Sequence, residues 1–467
     1  MGKKSKFVPQ NIDENFRLGK IEMGGYAFGD LAGQLLINFV STFFLLFCTD
    51  YLGISSVAAG TIFLVARIWD AINDPLMGTL TDHTKTRFGS YRPWIAIGAP
   101  IVAITFIMMF VKIGAANVSY LAWAYAAYLL YGTAATITGV PYGTLSNVTT
   151  LNPRDRSLLG VVRDYGANIA GFLVSTFGTT LIIKLSNAEG EMTTEGFTKA
   201  AIVAAVIALI CYYIVFFTQR ERIEPPKTTV GFFKGVKITF KNKSALCLLL
   251  MGFCFNMVIQ FKANMTAYYC INVLGNVNCI STILTLVYTL PLLGLLFVPV
   301  LMKKFERRSF LSVAGILTVV SGLISLIFGR SLAMQIVSSA FLGLALSCTF
   351  ALIWASIPDA IDDGEVKTGQ RAPGVTYALA TFMVKAAAGI SSFVAGWILA
   401  LVKYDANLEV QSAGTINGIV IWYGVYPIIW GILMFIFSRI YKLDRKTVES
   451  NAEVLAAKRA AESAETV

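Results

Sequence analysis

Twelve apolar blocks, each near the ~20 residues that a ~30 Å hydrocarbon layer requires, alternate with short polar stretches along almost the whole chain. They fall at 24–47, 55–80, 94–114, 119–147, 160–183, 200–218, 245–273, 281–302, 309–329, 332–357, 374–402 and 415–440. The pattern predicts an all-α membrane protein with 12 transmembrane helices. Charges interrupt the second block most: Arg67-Ile-Trp-Asp70-Ala-Ile-Asn73-Asp74-Pro75 sets two carboxylates, a guanidinium and a carboxamide in an otherwise apolar segment.

Composition agrees with lipid as the solvent. The chain is 56% hydrophobic and 14% charged, whereas soluble domains hold about 25% charged residues. Its start, with Lys3, Lys4 and Lys6, does not read as a cleaved signal. Of 38 lysines and arginines, 30 fall in alternate loops, the two tails and the block ends beside them, and five in the intervening loops and the block ends beside those. The positive-inside rule then places both termini in the cytoplasm and the chain in the cell membrane as a multi-pass protein. The net charge of +11 follows from that topology, with contact to anionic membrane lipid, and not from nucleic-acid binding. The seven cysteines are scattered without metal spacing and read as small packing residues; Cys270 and Cys279 flank a short loop, where a disulfide is conceivable. His83, the only histidine, sits in a basic loop and reads as solvated.

The longest polar loop, 219–244, divides six blocks from six. Each half repeats a short basic loop after its second and fourth blocks, which predicts two six-helix bundles related by an axis along the membrane normal. The expected organisation is 1–218 and 245–440 as the bundles, 219–244 as a cytoplasmic middle loop and 441–467 as a solvated helical tail without a core. The loop Asp74-Pro-Leu-Met-Gly78-Thr-Leu-Thr-Asp82-His-Thr-Lys85-Thr-Arg87-Phe-Gly89 resembles the loop signature of the major facilitator superfamily.

Ionisable residues inside apolar blocks are expensive in lipid and face partners or wet cavities. Asp70 and Asp74 are four apart on one helix face, with Arg67 three before Asp70. The three are a structural ion cluster or a cation site, and two acids against one base leave surplus negative charge for a cation. Asn73 and Thr136 add neutral oxygens of the kind hard cations take. A crowded carboxylate pair can instead take up a proton, so Na+ and H+ both remain open. Lys385, from the other half, is expected to compete with the cation for those acids or to serve as a structural partner. Lys262 is expected to snorkel to an interface, Asp50 to be solvated, and Arg163 to pair locally with Asp164 or to meet solute.

Several stretches together resemble the glycoside–pentoside–hexuronide:cation symporters, typified by the melibiose permease, over roughly 15–440. They are Gly29-Asp30, Phe63 through Gly78, Arg87-Phe-Gly-Ser-Tyr-Arg92-Pro93-Trp94, Pro141-Tyr142, Asp359-Ala-Ile-Asp362-Asp-Gly364-Glu365 and Met383-Val-Lys385. The resemblance implies a cation site of Asp70, Asn73, Asp74 and Thr136 with Arg67 and Lys385 beside it; in a sodium-coupled carrier Asp70 and Asp74 would ligate Na+. It further implies sugar contacts from Asp30, Arg163, Trp354 and Lys385, and a cytoplasmic gate of Arg154 and Arg156 with Asp359, Asp362, Glu365 and Arg371 across the bundles. Gly139 and Gly143 depart from the melibiose permease, which has an acid and an aromatic there, so a pentoside, a β-glucoside or a hexuronide fits as well as a galactoside. The chain ends at 467 with no appended phosphotransfer domain, so regulation by phosphoryl transfer in cis is not expected.

The reading is a secondary active symporter, importing a sugar or glycoside with Na+ or H+ by alternating access. No cofactor and no enzymatic activity are expected, since a single histidine supplies neither a nucleophile–base set nor a metal cluster. A functional monomer is expected. The alternative is a carrier of a non-sugar amphiphile or lipid-like solute on the same fold.

Overall fold

A computed structural model describes residues 15–113, 119–188, 190–223, 232–301, 306–371 and 373–465. The described residues form fourteen α-helices. In the first half they are α1 (Lys20–Leu46), α2 (Ser56–His83), α3 (Arg92–Met109), α4 (Tyr120–Thr149), α5 (Pro153–Leu185) and α6 (Thr194–Thr218). A short α7 (Phe232–Lys241) precedes α8 (Lys243–Asn272), α9 (Cys279–Leu301), α10 (Arg307–Ile327), α11 (Leu332–Thr368), α12 (Pro373–Leu401), α13 (Ala413–Ile440) and α14 (Arg445–Glu465). Most of the described part of each expected apolar block lies on one of these helices. Among the described residues nine helices are long and apolar enough to cross a membrane. The expectation of twelve is thus met only in part. Two that fall short are α2, diluted by Arg67, Asp70 and Asp74, and α4, rich in glycine, threonine and tyrosine. The basic tail through residue 14, Pro225, Pro226 and Lys303 lie outside the described residues.

Local chemistry explains the boundaries. Ser55 caps α2 by accepting from Ala58 N, and Asn152 caps α5 by accepting from Arg154 N and Asp155 N, with Pro153 at its first position. The buried carboxylate of Asp155 accepts from Leu18 N at 2.7 Å and Arg17 Nε at 2.8 Å, tying the start of α1 to that of α5. Beyond α1 the helix loosens into a π-turn over Phe47–Tyr51. Asp50 there, expected in solvent, accepts instead from Thr49 Oγ1 and Tyr404 Oη.

The chain divides into two compact units: Met1–Pro226 with Ala263–Tyr288 and Ser392–Ile416, and Lys227–Lys262 with Thr289–Ser391 and Asn417–Val467. The first has an aromatic centre of Phe39, Phe43, Phe44, Phe47, Phe106, Phe110 and Phe197, their rings edge-on, tilted or stacked. In the second, Gly315 and Gly322 of α10 lie against the backbone of α13 at Gly431, Phe435 and Gly424, so that even a methyl group would force the helices apart. The tail helix α14, expected without a core, buries Asn451 and Leu455 and packs on α11. All seven cysteines are free thiols, so the conceivable Cys270–Cys279 disulfide is absent from this structure.

The loop between α2 and α3 is fastened by a residue that sequence reading passed over. Glu221, just past α6, accepts from the backbone N–H groups of Ser90, Tyr91 and Arg92 at 2.7–2.8 Å, capping α3 from another segment. Its burial pushes the carboxyl up, against the lowering effect of those bonds. Gly89 has a φ of +111°, and a Cβ there would land on the Glu221 carboxyl group. Gly89→Ala is therefore expected to destabilise the protein by on the order of 2 kcal/mol. An unchanged melting temperature in detergent would contradict the cap.

Candidate functional site

The acidic segment folds onto α4. Arg67 donates to Asp70 Oδ2 at 2.7 Å and, through its other terminal nitrogen, to Tyr128 Oη at 3.0 Å. Asp70 is 6% exposed. One turn on, Asp74 accepts from Thr136 Oγ1 at 2.9 Å. Tyr128, Gly132 and Thr136 succeed one another at four-residue spacing along one face of α4. Gly132 leaves room for Asp70, whose Oδ1 would sit 3.2 Å from a Cβ there. Two buried nitrogens at the seam, Arg67 Nε and Asn73 Nδ2, make no hydrogen bond. Pro75 comes directly after Asp74; lacking an N–H, it cannot close the helical bond to the Ala71 carbonyl. The seam thus gathers Arg67, Asp70, Asn73, Asp74 and Thr136, and adds Tyr128 and Gly132, which only their four-residue spacing to Thr136 could have signalled.

A second polar cluster joins α1 to α5 in the same unit. Arg163 Nε donates to Asp30 Oδ2 at 2.7 Å, so the arginine pairs with α1 and not with its neighbour Asp164. Its guanidinium lies 5.6 Å from the Tyr142 ring centroid. Tyr142 stacks on Tyr26 at 4.7 Å, and the two exchange hydroxyl-to-carbonyl bonds of 2.7 and 3.2 Å. Beside Tyr142, a Cβ at Gly139 or Gly143 would meet nothing within 4 Å.

The other candidate residues divide between the units. Arg154 is exposed, and Arg156 donates to the Thr150 carbonyl at 2.9 Å, both in the first unit. In the second unit Asp359 pairs with Arg307, which sequence reading did not name as its partner. There too Arg371 pairs with Asp362 at 3.2 Å and Glu365 at 2.7 Å. Trp354 stacks at 6.4 Å on Tyr377 and, with Asn256, Ile357 and Met383, lines an otherwise apolar hollow. Lys385 is half-buried on α12. Lys262, expected to snorkel, is 4% exposed: its ammonium lies 3.4 Å from the Tyr423 ring centroid and 3.3 Å from Ser325 Oγ. Ser325 of α10, itself bonded to Ser338 of α11, offers that ammonium an oxygen inside the protein, so it need not reach an interface.

A family model described as MFS/sugar transport protein matches residues 25–445. The chain belongs to that family. Its members are transporters, not enzymes. The isoprimeverose transporter of Lactiplantibacillus pentosus is 29% identical over 91% of this chain and 89% of its own. The glucuronide carrier protein homolog of Escherichia coli K12 is 27% identical over 92% and 94%. Among solved structures, a bacterial homolog of the human lysosomal transporter Spinster superposes with a TM-score of 0.65 at 12% identity, over 90% of this chain and 96% of that one. At that identity the likeness speaks for the fold.

Proposed function

We propose that this member of the sugar transport family is a symporter that imports a sugar or glycoside together with one Na+ or H+ by alternating access. The observation that carries the proposal is the α2–α4 seam. Arg67, Asp70 and Asp74 sum to one negative charge, which suits one monovalent cation and disfavours a divalent one. Asp70, Asn73, Asp74 and Thr136 supply the oxygens, and a cation entering there exchanges with the donors now resting on the carboxylates. Lys385 is the candidate assigned to compete with the cation for those carboxylates.

Asp30 and Arg163 are assigned to the sugar: an acceptor and a fork of donors suit neighbouring hydroxyls, and the tyrosine stack holds them in place. Trp354 offers an indole face, and Lys385 a charge, to the same solute. The open space at Gly139 and Gly143, with relatives named for isoprimeverose and glucuronide, supports a glycoside larger or more acidic than a simple hexose. A lipid-like solute is not favoured. Arg307, Asp359, Asp362, Glu365 and Arg371, with Arg154 and Arg156, are assigned to a cytoplasmic gate, since exposed pairs are individually weak and can part. The full proposal includes twelve spans in two six-helix bundles, divided as 1–218 and 245–440, both termini cytoplasmic, in the cell membrane as a functional monomer.

The test is uptake of a panel of labelled glycosides and hexuronides into vesicles under a sodium or a proton gradient. Gradient-stimulated uptake of at least one is expected. Absence of stimulation for the whole panel, alongside saturable uptake of an amphiphile, overturns the reading. Arg163→Gln should raise the half-saturating sugar concentration about tenfold or more, as befits a lost charge-assisted bond, while leaving the cation dependence in place. The reverse pattern would reassign the residue.

A further inference from the structure

Residues 227–243 carry Lys227, Lys234, Lys237, Lys241 and Lys243 and no acid. Most of this stretch is the ten-residue helix α7. One side of α7 is seated on α12. Thr239 Oγ1 bonds Thr376 Oγ1 at 2.9 Å with both residues buried, and a Cβ at Gly235 would strike the Val375 side chain. With helical residues about 100° apart, Gly235 and Thr239 define this seated face. Lys234, Lys237 and Lys241 fall together on the opposite arc, all exposed, with Phe240 beside them at 46% exposure.

The level of α7 is fixed by the junction at its C-terminal end. Asn242 ends the helix, donates to the Ala360 carbonyl at 2.5 Å, and caps α8 by accepting from Ser244 N at 3.1 Å and Ala245 N at 3.2 Å. Helix α8 is itself an apolar candidate span beginning at Lys243. A lysine face and a phenylalanine so close to the start of a span lie where headgroups meet acyl chains. Lysine stems snorkel there, and aromatic rings enter the boundary.

We propose that α7 is a docking surface for anionic phospholipid, with Lys234, Lys237 and Lys241 binding headgroup phosphate and Phe240 entering the acyl boundary. Charge complementarity selects the headgroup, since each lysine near an anionic surface favours binding by about fivefold. The exposed ring selects a lipid over a soluble polyanion. Because α7 rests on α12 and Asn242 on α11, bound lipid would brace those helix ends.

The experiment is native mass spectrometry of the full-length protein in neutral detergent, titrated with phosphatidylglycerol or with phosphatidylcholine of the same chains. Phosphatidylglycerol should be retained preferentially, and Lys234→Gln/Lys237→Gln/Lys241→Gln should weaken its retention at least tenfold. A control with the same loss of charge type, Lys442→Gln/Lys446→Gln, should not. Phe240→Ser should weaken retention of both lipids. Raising salt from about 0.05 to about 0.5 M should suppress the preference, and free glycerophosphate should not compete. Equal retention of the two lipids by the wild type, or undiminished phosphatidylglycerol binding by the triple variant, overturns the proposal. So does displacement by free glycerophosphate, which would mark a soluble anion as the occupant. None of these readouts depends on transport.

Discussion

Asp74→Asn is expected to abolish cation-driven accumulation of solute while leaving the protein folded and inserted. The carboxamide keeps the size of the side chain and can still meet Thr136 Oγ1, but it removes the charge that leaves the seam at minus one. Without that charge a monovalent cation entering beside Arg67 would make the site net positive, which a low-dielectric interior penalises heavily. Uphill uptake should therefore fall to the level of vesicles without a gradient. Facilitated exchange of unlabelled for labelled solute should persist, because the Asp30–Arg163 cluster is untouched. Paired uphill-uptake and exchange assays on one vesicle preparation decide the matter. Full accumulation by Asp74→Asn removes this carboxylate from the coupling site.

The second large effect concerns Arg67. Its bonds reach both Asp70 and Tyr128, so Arg67→Met leaves a carboxylate of 8% side-chain exposure without its guanidinium and leaves the tyrosine hydroxyl without its donor. Breaking one side of a buried ion pair costs about 3–5 kcal/mol. A large fall in melting temperature in detergent is expected. Arg67→Met/Asp70→Asn should recover most of it, because the orphaned charge is then gone, and the recovery separates charge compensation from lost arginine packing. A single variant as stable as the wild type would mean that Asp70 does not depend on Arg67.

Several candidate residues could be read from spacing alone because they share one helix. Arg67, Asp70, Asn73 and Asp74 occupy two turns of α2, so helical periodicity puts them on one side whatever the helix packs against. Thr136 is a candidate as a neutral oxygen and through the family resemblance, neither of which gives its contact; that it meets Asp74 depends on how α2 and α4 pair. Lys262 marks the limit of this reasoning. Its position near a helix end suggested snorkelling, but Ser325 and the Tyr423 ring hold it inside the bundle. Arg163 shows the same limit: its sequence neighbour Asp164 was the nearer choice, yet the packing of α5 on α1 delivered Asp30.

The chain by itself determines its solvent, its helices and the charged stretch inside the second apolar block. Hydrophobic length and the cost of charge in lipid act segment by segment, without reference to partners. The partners were decided only when helices paired: Tyr128 for Arg67, Asp30 for Arg163, Arg307 for Asp359, and Glu221 on the backbone of Ser90, Tyr91 and Arg92. Those bonds join residues separated by 52 to 133 positions. No local periodicity encodes such distances, because they arise from which ridges and grooves of neighbouring helices come to fit.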